Sequence, residues 1–246
     1  MPPDRTGLAR TALALAVACG VAALVAGPGY RMAWWSLGAG IGTIRWAATL
    51  ALGAAALGLV AAALAWRASA RRALQIAIAA AFVGLAVAAP PIVLWRQAQQ
   101  LPNIHDISTD TDHPPAFVAV VPLRQGAGNP VEYPAAAAVE QKRGYPDVAP
   151  LVLPLPPAQA FARAERAARA MGWEIVAVSP QDLRIEATAT SLLFGFKDDV
   201  VVRVAANGGG SRIDVRSLSR VGGSDLGVNA KRVRAFLERL GADARP

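Results

Sequence analysis

The sequence has a single cysteine, Cys19, so no disulfide can form within the chain. Domains that fold outside the cytoplasm often depend on disulfides, and a domain without them must be held by packing alone. The residues after the first hundred, roughly 145, are enough for a sizeable core. We interpret Cys19 as a small apolar helix residue. The alternative, a lipidated cysteine, rests on a loose resemblance of residues 16–19 to a lipoprotein cleavage box, and the apolar run after it argues against that alternative.

Acidic residues and lysine are scarce in the first part of the chain. Up to Arg96 there are eight arginines, no lysine and one acid, Asp4, whereas 17 basic and 16 acidic residues follow from Gln97 onward. The net charge of +8 is therefore +7 from the first part and +1 from the second. A nucleic-acid surface needs its positive excess on a soluble face, but here the excess flanks apolar runs. The charge pattern indicates membrane orientation, and we expect no nucleic-acid partner.

Three long apolar runs predict a transmembrane anchor over residues 1–96, with spans at about 8–27, 43–66 and 73–95. A helix needs roughly 20 residues to cross the hydrocarbon core, and the second and third runs reach that length outright. The first run is shorter and ends at Gly27-Pro28-Gly29, so a cleaved signal peptide is an alternative to the retained span that we favour. We expect Pro90-Pro91 to kink or end the third span.

The arginines predict the orientation of these spans. Arg67, Arg71 and Arg72 fill the short link between the second and third spans, which places that link in the cytoplasm. The third span then leads outward. We therefore expect a multi-pass protein of the bacterial inner membrane with its C-terminal domain on the periplasmic side. No Asp, Glu, Lys or His lies within the spans, so an ion pathway built from such groups is not expected.

The soluble part is predicted to be a proline-rich arm, residues 97–156, followed by an α+β core, residues 157–246. The arm contains one strand-like stretch, Phe117 to Val121. The core begins with a helix from Pro157 to about Met171 and ends with a helix from Ser224 or Asp225 to Leu240, capped by Gly241 and with Leu226 among its inward residues. Four runs of alternating polarity lie between the helices: 173–178, 183–190, 199–205 and 212–218. The predicted fold is a two-layer sandwich with an antiparallel sheet of about four strands and two helices on one face.

The opposite face of the predicted sheet carries charged residues, and the alternation indicates that it faces water. Its members are Arg184, Glu186, Arg203, Asp214 and Arg216. Such residues pair across strands on an ordinary solvated surface, and the same face could dock a partner.

A first candidate site lies just after the membrane part, where both histidines and three carboxylates fall within nine residues. These residues are His105, Asp106, Asp110, Asp112 and His113. Carboxylates and imidazoles bind metal ions, but the spacing matches neither a calcium loop nor a zinc enzyme. Turns and caps formed by short polar side chains explain the same residues. Metal binding by this segment is one of our alternatives.

Two further candidates lie in the core. Asp198 and Asp199 are adjacent, and since successive strand residues point to opposite faces, one of the pair would be wasted in an acid–base site. We interpret Lys197, Asp198 and Asp199 as the polar turn of a hairpin. The other candidate is the glycine-containing turn that leads into the last helix, with Arg216, Arg220, Ser224, Asp225 and Asn229. Exposed amides there attract anions, yet Asp225 would repel an anion and serves better as a helix cap.

Several stretches of the soluble part together resemble the envelope-protein family known as domain of unknown function 1499. They are Asp106-Ile107-Ser108-Thr109-Asp110 with Pro114-Pro115, Tyr145-Pro146-Asp147, Gly172-Trp173, Ile185-Glu186-Ala187-Thr188, residues 194–200, residues 214–217 and residues 224–230. The resemblance covers nearly all of the soluble part and none of the spans. It implies attachment to a membrane or export, and it implies no particular activity.

Three functional hypotheses remain from the sequence. The leading one is a non-catalytic envelope protein, without a cofactor, whose domain binds an envelope protein or a lipid-like ligand through the sheet face or the turn at Arg220 to Asp225. The second is an envelope enzyme that uses Asp198, Asp199, Arg216, Arg220 and Asp225 as one polar cluster. The third is metal binding by the arm. Convergence of the polar cluster in a concave pocket would favour the enzyme, and separate turn and cap pairs would oppose it.

Overall fold

The computed structural model describes residues 6–242. The chain forms two compact units: one runs up to Gln97 and includes Leu193–Gly195, and the other begins at Ala98. The first unit is helical and the second contains the sheet.

The first unit consists of three helices, α1 (Gly7–Arg31), α2 (Leu37–Arg67) and α3 (Arg71–Ala98). All three are long and apolar enough to cross a membrane, with mean hydropathies of 2.1, 2.1 and 2.3 over their most apolar windows. Each predicted span lies inside one of them. Of the two outcomes expected at Pro90-Pro91, a kink or an end of the helix, the second does not occur, because α3 continues through both prolines; α1 likewise continues through Pro28. In a membrane, the backbone groups that proline leaves unpaired are satisfied by neighbouring helices and side chains.

The interior of the helical unit is built from small residues. Every buried residue within α1, α2 and α3 is alanine, glycine or the single cysteine. The backbones approach so closely that a Cβ atom added at Gly58 of α2 would lie 2.8 Å from the backbone nitrogen of Ala81 in α3. Large apolar side chains face outward instead, and Leu24 and Phe82 are 70% and 73% exposed. This arrangement is typical of helices that pack in lipid.

The second unit contains a six-stranded antiparallel sheet in the order β1-β6-β5-β4-β3, with β2 also paired to β6. The strands are β1 (Asp106–Ser108), β2 (Leu151–Leu153), β3 (Glu174–Ser179), β4 (Arg184–Thr190), β5 (Lys197–Asn207) and β6 (Gly210–Ser219). The α+β prediction is confirmed, with about six strands rather than four. Asn207 pairs with Gly210 across a tight β5–β6 turn in which Gly208 adopts a φ of 57°, a conformation that glycine favours.

The two additional strands and a further helix come from the arm, in which we predicted one strand-like stretch. β1 and β2 are three residues each and lie along β6, and α4 (Ala135–Gly144) stands between them in sequence. The stretch from Phe117 to Val121 is not a strand; a short 3-10 helix, Val121–Arg124, follows it instead.

One face of the sheet packs against two helices, α5 (Pro157–Ala170) and α6 (Val228–Ala242). The core between them includes Val200, Val202 and Val215 from the strands and stacked rings of Trp173 and Phe236, with centroids 5.1 Å apart. The last helix begins three to four residues later than predicted, and it runs through Gly241 rather than ending there. Leu226 therefore precedes α6 and is 48% exposed, so its predicted inward position is wrong.

The other face of the sheet is not the solvated surface that the alternation indicated. The arm covers it, and Phe117 and Val120 pack there against Val201 and Leu218. Glu186, Asp214 and Arg216 are only 1%, 1% and 3% exposed. Arg184 and Arg203 are half-buried. These charged residues are part of the interior between arm and sheet.

Candidate functional site

Arg216 of β6 anchors the arm through a buried ion pair with Asp106 of β1. Its Nε and Nη2 atoms donate to the two carboxylate oxygens of Asp106 at 3.0 and 2.7 Å. Two carbonyl oxygens of the arm accept its other N–H groups, those of Pro115 and Val131. The guanidinium also lies 4.9 Å from the ring centroid of Phe117. Burial raises the pKa of Asp106, and the bonds from Arg216 oppose that shift.

Asp199 of β5 is shared by two arginines. Its carboxylate accepts from Arg124 of the arm at 2.5 Å and from Nε and Nη2 of Arg220 at 2.9 and 2.8 Å. The hydroxyl of Thr188 donates to it as well, at 2.8 Å. Asp199 is completely buried, and these four donors replace the water that its charge requires.

Glu186 of β4 holds the arm by its backbone. The N–H groups of Val118, Ala119 and Val120 each donate to the carboxylate at 3.0 Å, and Nε of Arg184 donates at 3.1 Å. Three successive amides converging on one carboxylate form an anion-binding concavity, which here is filled by a side chain of the same domain.

Asp198 points to the face opposite Asp199, as strand geometry predicted. Its carboxylate accepts from Nη2 of Arg232 in α6 at 2.7 Å. Asn229 lies beside this pair: its Oδ1 accepts from the hydroxyl of Ser217 at 2.8 Å, and its Nδ2 donates to the hydroxyl of Ser219 at 2.9 Å. Asp198 and Asp199 belong to strand β5 itself, because the preceding turn consists of residues 191–196.

The turn before α6 satisfies its own amides. The carboxylate of Asp225 accepts from the backbone N–H groups of Asn229 at 2.6 Å and Gly227 at 3.1 Å. The Ser224 hydroxyl accepts from the N–H of Leu226 at 3.2 Å. Burial raises the pKa of Asp225 against the opposing effect of these backbone bonds. The turn is a helix cap, and Asp225 occupies the place an anion would take.

The seven predicted ligand-binding residues thus fall into separate pairs and caps. Asp199 and Arg220 lie on the arm side of the sheet, as does Arg216, which pairs with Asp106 instead. Asp198, Asn229, Ser224 and Asp225 lie toward α6. Because these side chains form separate pairs and caps and do not converge in one concave pocket, their arrangement opposes the enzyme hypothesis.

The five predicted metal-binding residues are also dispersed. Asp106 is committed to Arg216, and Nδ1 of His105 lies 3.3 Å from the carbonyl oxygen of Gly223. Asp110, Asp112 and His113 remain neighbours in one loop. Within residues 6–242, no group of three His, Cys, Asp or Glu side chains is placed to hold a metal ion.

Asp110 instead joins two arginines of the sheet. Its Oδ2 accepts from Nη2 of Arg203 at 3.1 Å and of Arg212 at 2.9 Å, and the same arginines pair with Asp214. Burial acts to raise the pKa of Asp110, but the backbone bond from His113 and the charges of Arg212 and Arg203 outweigh it, so that the pKa is lowered.

Sequence reasoning missed three of the residues that position this network. Arg124 and Arg232 pair with Asp199 and Asp198. Gln141 of α4 is 1% exposed and mimics a neighbouring strand, because its amide accepts from the N–H of Ser108 at 2.8 Å and donates to the same residue's carbonyl oxygen at 2.6 Å. The only sequence signal was a polar residue at position 141 within a short alanine-rich segment.

A cleft of about 580 Å³ opens beside this network, between the loop after β1, the end of α4 with the segment that follows it, and β6. Its polar lining includes Thr111, Asp112, His113, Lys142 and Arg212, and its apolar lining includes Pro146, Val148 and Pro150. The volume lies within the range of about 300–1,000 Å³ typical of small-molecule sites.

The second unit also carries the features of a known protein family. The family model described as "Protein of unknown function (DUF1499)" matches residues 106–240, which is 135 of 246 residues. No curated protein matches the chain. The match begins at β1 and ends within α6, so it spans the sheet, the arm that covers it and both packed helices. The chain therefore belongs to the DUF1499 family of proteins of unknown function.

Proposed function

We propose that this protein is a non-catalytic membrane protein of the bacterial envelope. In this proposal the three helices span the inner membrane, and the sheet domain stands on the periplasmic side, where it binds an envelope partner or a lipid-like ligand. The observation that carries the proposal is the helical unit, whose exposed surface is apolar and whose interior is made of small residues.

The distribution of arginine supports the orientation. Arg67 ends α2, and Arg71 and Arg72 begin α3, so three cations surround a three-residue connection. Short loops rich in Arg and Lys stay in the cytoplasm. With that connection inside, α3 leads outward and the domain that follows it lies in the periplasm.

The commitment of charged groups to one another supports a non-catalytic role. A general base needs a free lone pair within reach of a substrate proton. Asp199 and Glu186 each accept at least four hydrogen bonds from protein donors and are at most 1% exposed. Their function is to hold the arm on the sheet.

The accessible part of the domain supports the cleft as the place of binding. The sheet face is covered by the arm, and in the turn before α6 the carboxylate of Asp225 already accepts from the amides of Gly227 and Asn229. The cleft combines exposed polar groups with an apolar wall. We therefore move the expected binding surface from the sheet face to the cleft.

Reporter fusions test this proposal. An enzyme that is active only after export, fused after Arg72, should be inactive, and the same enzyme fused at the C-terminus should be active. A fluorescent protein that folds only in the cytoplasm should give the reverse pattern. Cytoplasmic activity at the C-terminus would overturn the proposal and return cytosolic metabolites as candidate ligands.

A further inference from the structure

The charges around the cleft balance in pairs. Lys142 donates to Asp112 at 2.9 Å in an exposed pair, with 59% and 71% of the two side chains accessible. Arg203 and Arg212 are balanced by Asp110 and Asp214. An anion in the cleft would be attracted by Lys142 and Arg212 but repelled by the carboxylates of Asp110 and Asp112. A cation would be attracted by the carboxylates but repelled by Lys142 and Arg212. The cleft therefore favours a ligand without net charge.

The residues that line the cleft retain unused hydrogen-bonding capacity. Among the described residues, no partner bonds to Nη1 of Arg212, to Oδ2 of Asp112 or to the hydroxyl of Thr111. Lys142 has three N–H donors, of which one is used by Asp112. Donors and acceptors therefore stand side by side, as adjacent hydroxyl groups of a sugar require, because each hydroxyl both donates and accepts.

The apolar wall completes the match to a sugar. Pro146, Val148 and Pro150 line the cleft together with the polar residues. A pyranose ring presents carbon-bound hydrogens on its faces and hydroxyls on its edge, so it can contact both kinds of lining at once. A lipid tail would cover the unused donors and acceptors of Asp112, Lys142 and Arg212 without bonding to them, which costs binding free energy.

We propose that this cleft binds a neutral, hydroxyl-rich glycan. For this cleft, the inference replaces the lipid-like ligand of the proposed function with a glycan. It rests on the proposed function only for the compartment, since a periplasmic domain faces the sugars of the envelope. Binding in vitro tests the ligand class independently of topology, so a failure of the glycan inference and a failure of the topology are distinguishable.

Titration of the full chain in phosphatidylcholine nanodiscs tests the inference, because sugar-based detergents would compete for the cleft. Two neutral probes, chitotetraose and maltotetraose, are compared with tetragalacturonate as the anionic probe. At least one neutral probe should bind with a Kd of about 1 mM or tighter. Its affinity should change less than about twofold from about 0.1 to 1 M salt, over which the Debye length falls from about 10 to 3 Å.

Two matched variants locate the site. Lys142→Ala removes a donor that lines the cleft, and Arg143→Ala removes the adjacent exposed cation, which does not line it. We expect Lys142→Ala to weaken binding of the neutral probe at least about fivefold, the effect of roughly one lost hydrogen bond, and Arg143→Ala to leave it unchanged. Both side chains are exposed, so neither variant threatens the fold.

Three results would overturn the inference. The first is that neither neutral probe binds. The second is that only tetragalacturonate binds, with a steep loss of affinity in salt, which would make the cleft an anion site. The third is equal binding by the Lys142 and Arg143 variants and the native chain, which would place the sugar elsewhere.

Discussion

The helical unit and the sheet domain bury opposite kinds of residue. The helices enclose only alanine, glycine and one cysteine, whereas the domain encloses large apolar side chains together with Asp106, Glu186, Asp199, Asp214 and Arg216. On the exposed surfaces the contrast is reversed, with large apolar side chains on the helices and charged side chains on the domain. Leu59 and Phe82 face outward in the helices, and charged side chains such as Lys142 do so in the domain.

The difference follows from the surroundings each region is built for. Lipid tails are as apolar as leucine, so helices in a bilayer gain little by burying large apolar residues and gain more by close approach of their backbones. In water, burial of apolar surface stabilises the domain, and any charge taken inside must find donors or acceptors there. The domain meets that need with ion pairs between arm and sheet.

The ion pairs also determine where the arm lies. A buried ion pair contributes little net stability compared with apolar residues of the same volume, but breaking it leaves an unpaired charge. Three interactions each fix a different point of the arm: the pair of Arg216 with Asp106, the pair of Arg124 with Asp199, and the bonds from the amides of residues 118–120 to Glu186. We infer that they select one position of the arm on the sheet.

The largest expected effect is the loss of the guanidinium of Arg216. Arg216→Met should destabilise the sheet domain by about 3–5 kcal/mol, because Asp106 is left buried without its partner. Thermal unfolding of the full chain in nanodiscs measures the loss of stability, and hydrogen exchange of the β6 amides shows whether the loss lies in the sheet. Arg166→Met, at an exposed site on α5, should stay within about 0.5 kcal/mol. Equal effects of the two changes would contradict the role of the pair.

A comparable test in the helical unit uses size rather than charge. Gly58→Leu should destabilise the packing of α2 on α3 by about 1–3 kcal/mol, because its Cβ would lie 2.9 Å from the carbonyl oxygen of Ala77. Gly53→Leu is the matched control, since nothing lies within 4 Å of its added Cβ. The resistance of the two variants to unfolding is compared in mixed micelles. Equal resistance would show that small residues do not hold the helices together.

Removing one charge beneath the arm should have a smaller effect. Glu186→Gln weakens the bonds to three backbone amides and should destabilise the arm by about 2 kcal/mol, a typical value for hydrogen bonds to a charged group. Faster hydrogen exchange at residues 118–120 is the expected readout. Glu165→Gln, which alters a surface pair with Arg169, should change stability by about 0.5 kcal/mol or less. Unchanged exchange in the Glu186 variant would contradict the account.

The smallest effect depends on pH. Asp110 has a lowered pKa in the folded chain, so its ionised form stabilises the fold above the unfolded value near 3.8, and this contribution is lost as pH falls through the folded pKa. Asp110→Asn should therefore cost about 1 kcal/mol near neutral pH and nothing below the folded pKa. Glu140→Gln, at an exposed position, is the control. A stability difference for Asp110→Asn that did not shrink in acid would refute this assignment.

The sequence pattern predicted α1, α2, α3, α5, α6 and the four long strands because each spans enough residues to show its pattern, whereas α4 was not predicted. β1 and β2 are three residues each and form only because β6 offers them partners. The alternation of polar and apolar residues in β4, β5 and β6 is the same whether water or the arm covers the polar face, so it cannot tell a solvated face from a buried one. Arg216 is buried because it pairs with Asp106, which lies 110 positions away, and no local sequence pattern indicates that pair.

The local geometry of single residues was predicted more accurately than their arrangement in space. The opposite orientations of Asp198 and Asp199 and the cap at Asp225 follow from local geometry, and both were predicted correctly. The cleft at Lys142 and Arg212 depends on how α4 and β6 meet. That meeting is set by long-range packing, which a single sequence does not reveal.

Cysteine labelling tests the central claim most directly, namely that the helices lie in the membrane and the domain lies outside the cytoplasm. In a chain carrying Cys19→Ser, cysteines are placed singly at Val152, Ser69 and Phe82 and exposed to a membrane-impermeant thiol reagent in spheroplasts. The account predicts labelling of Val152→Cys in intact spheroplasts, labelling of Ser69→Cys only after permeabilisation, and no labelling of Phe82→Cys although that position is exposed. Labelling of Phe82→Cys, or protection of Val152→Cys until permeabilisation, would contradict it.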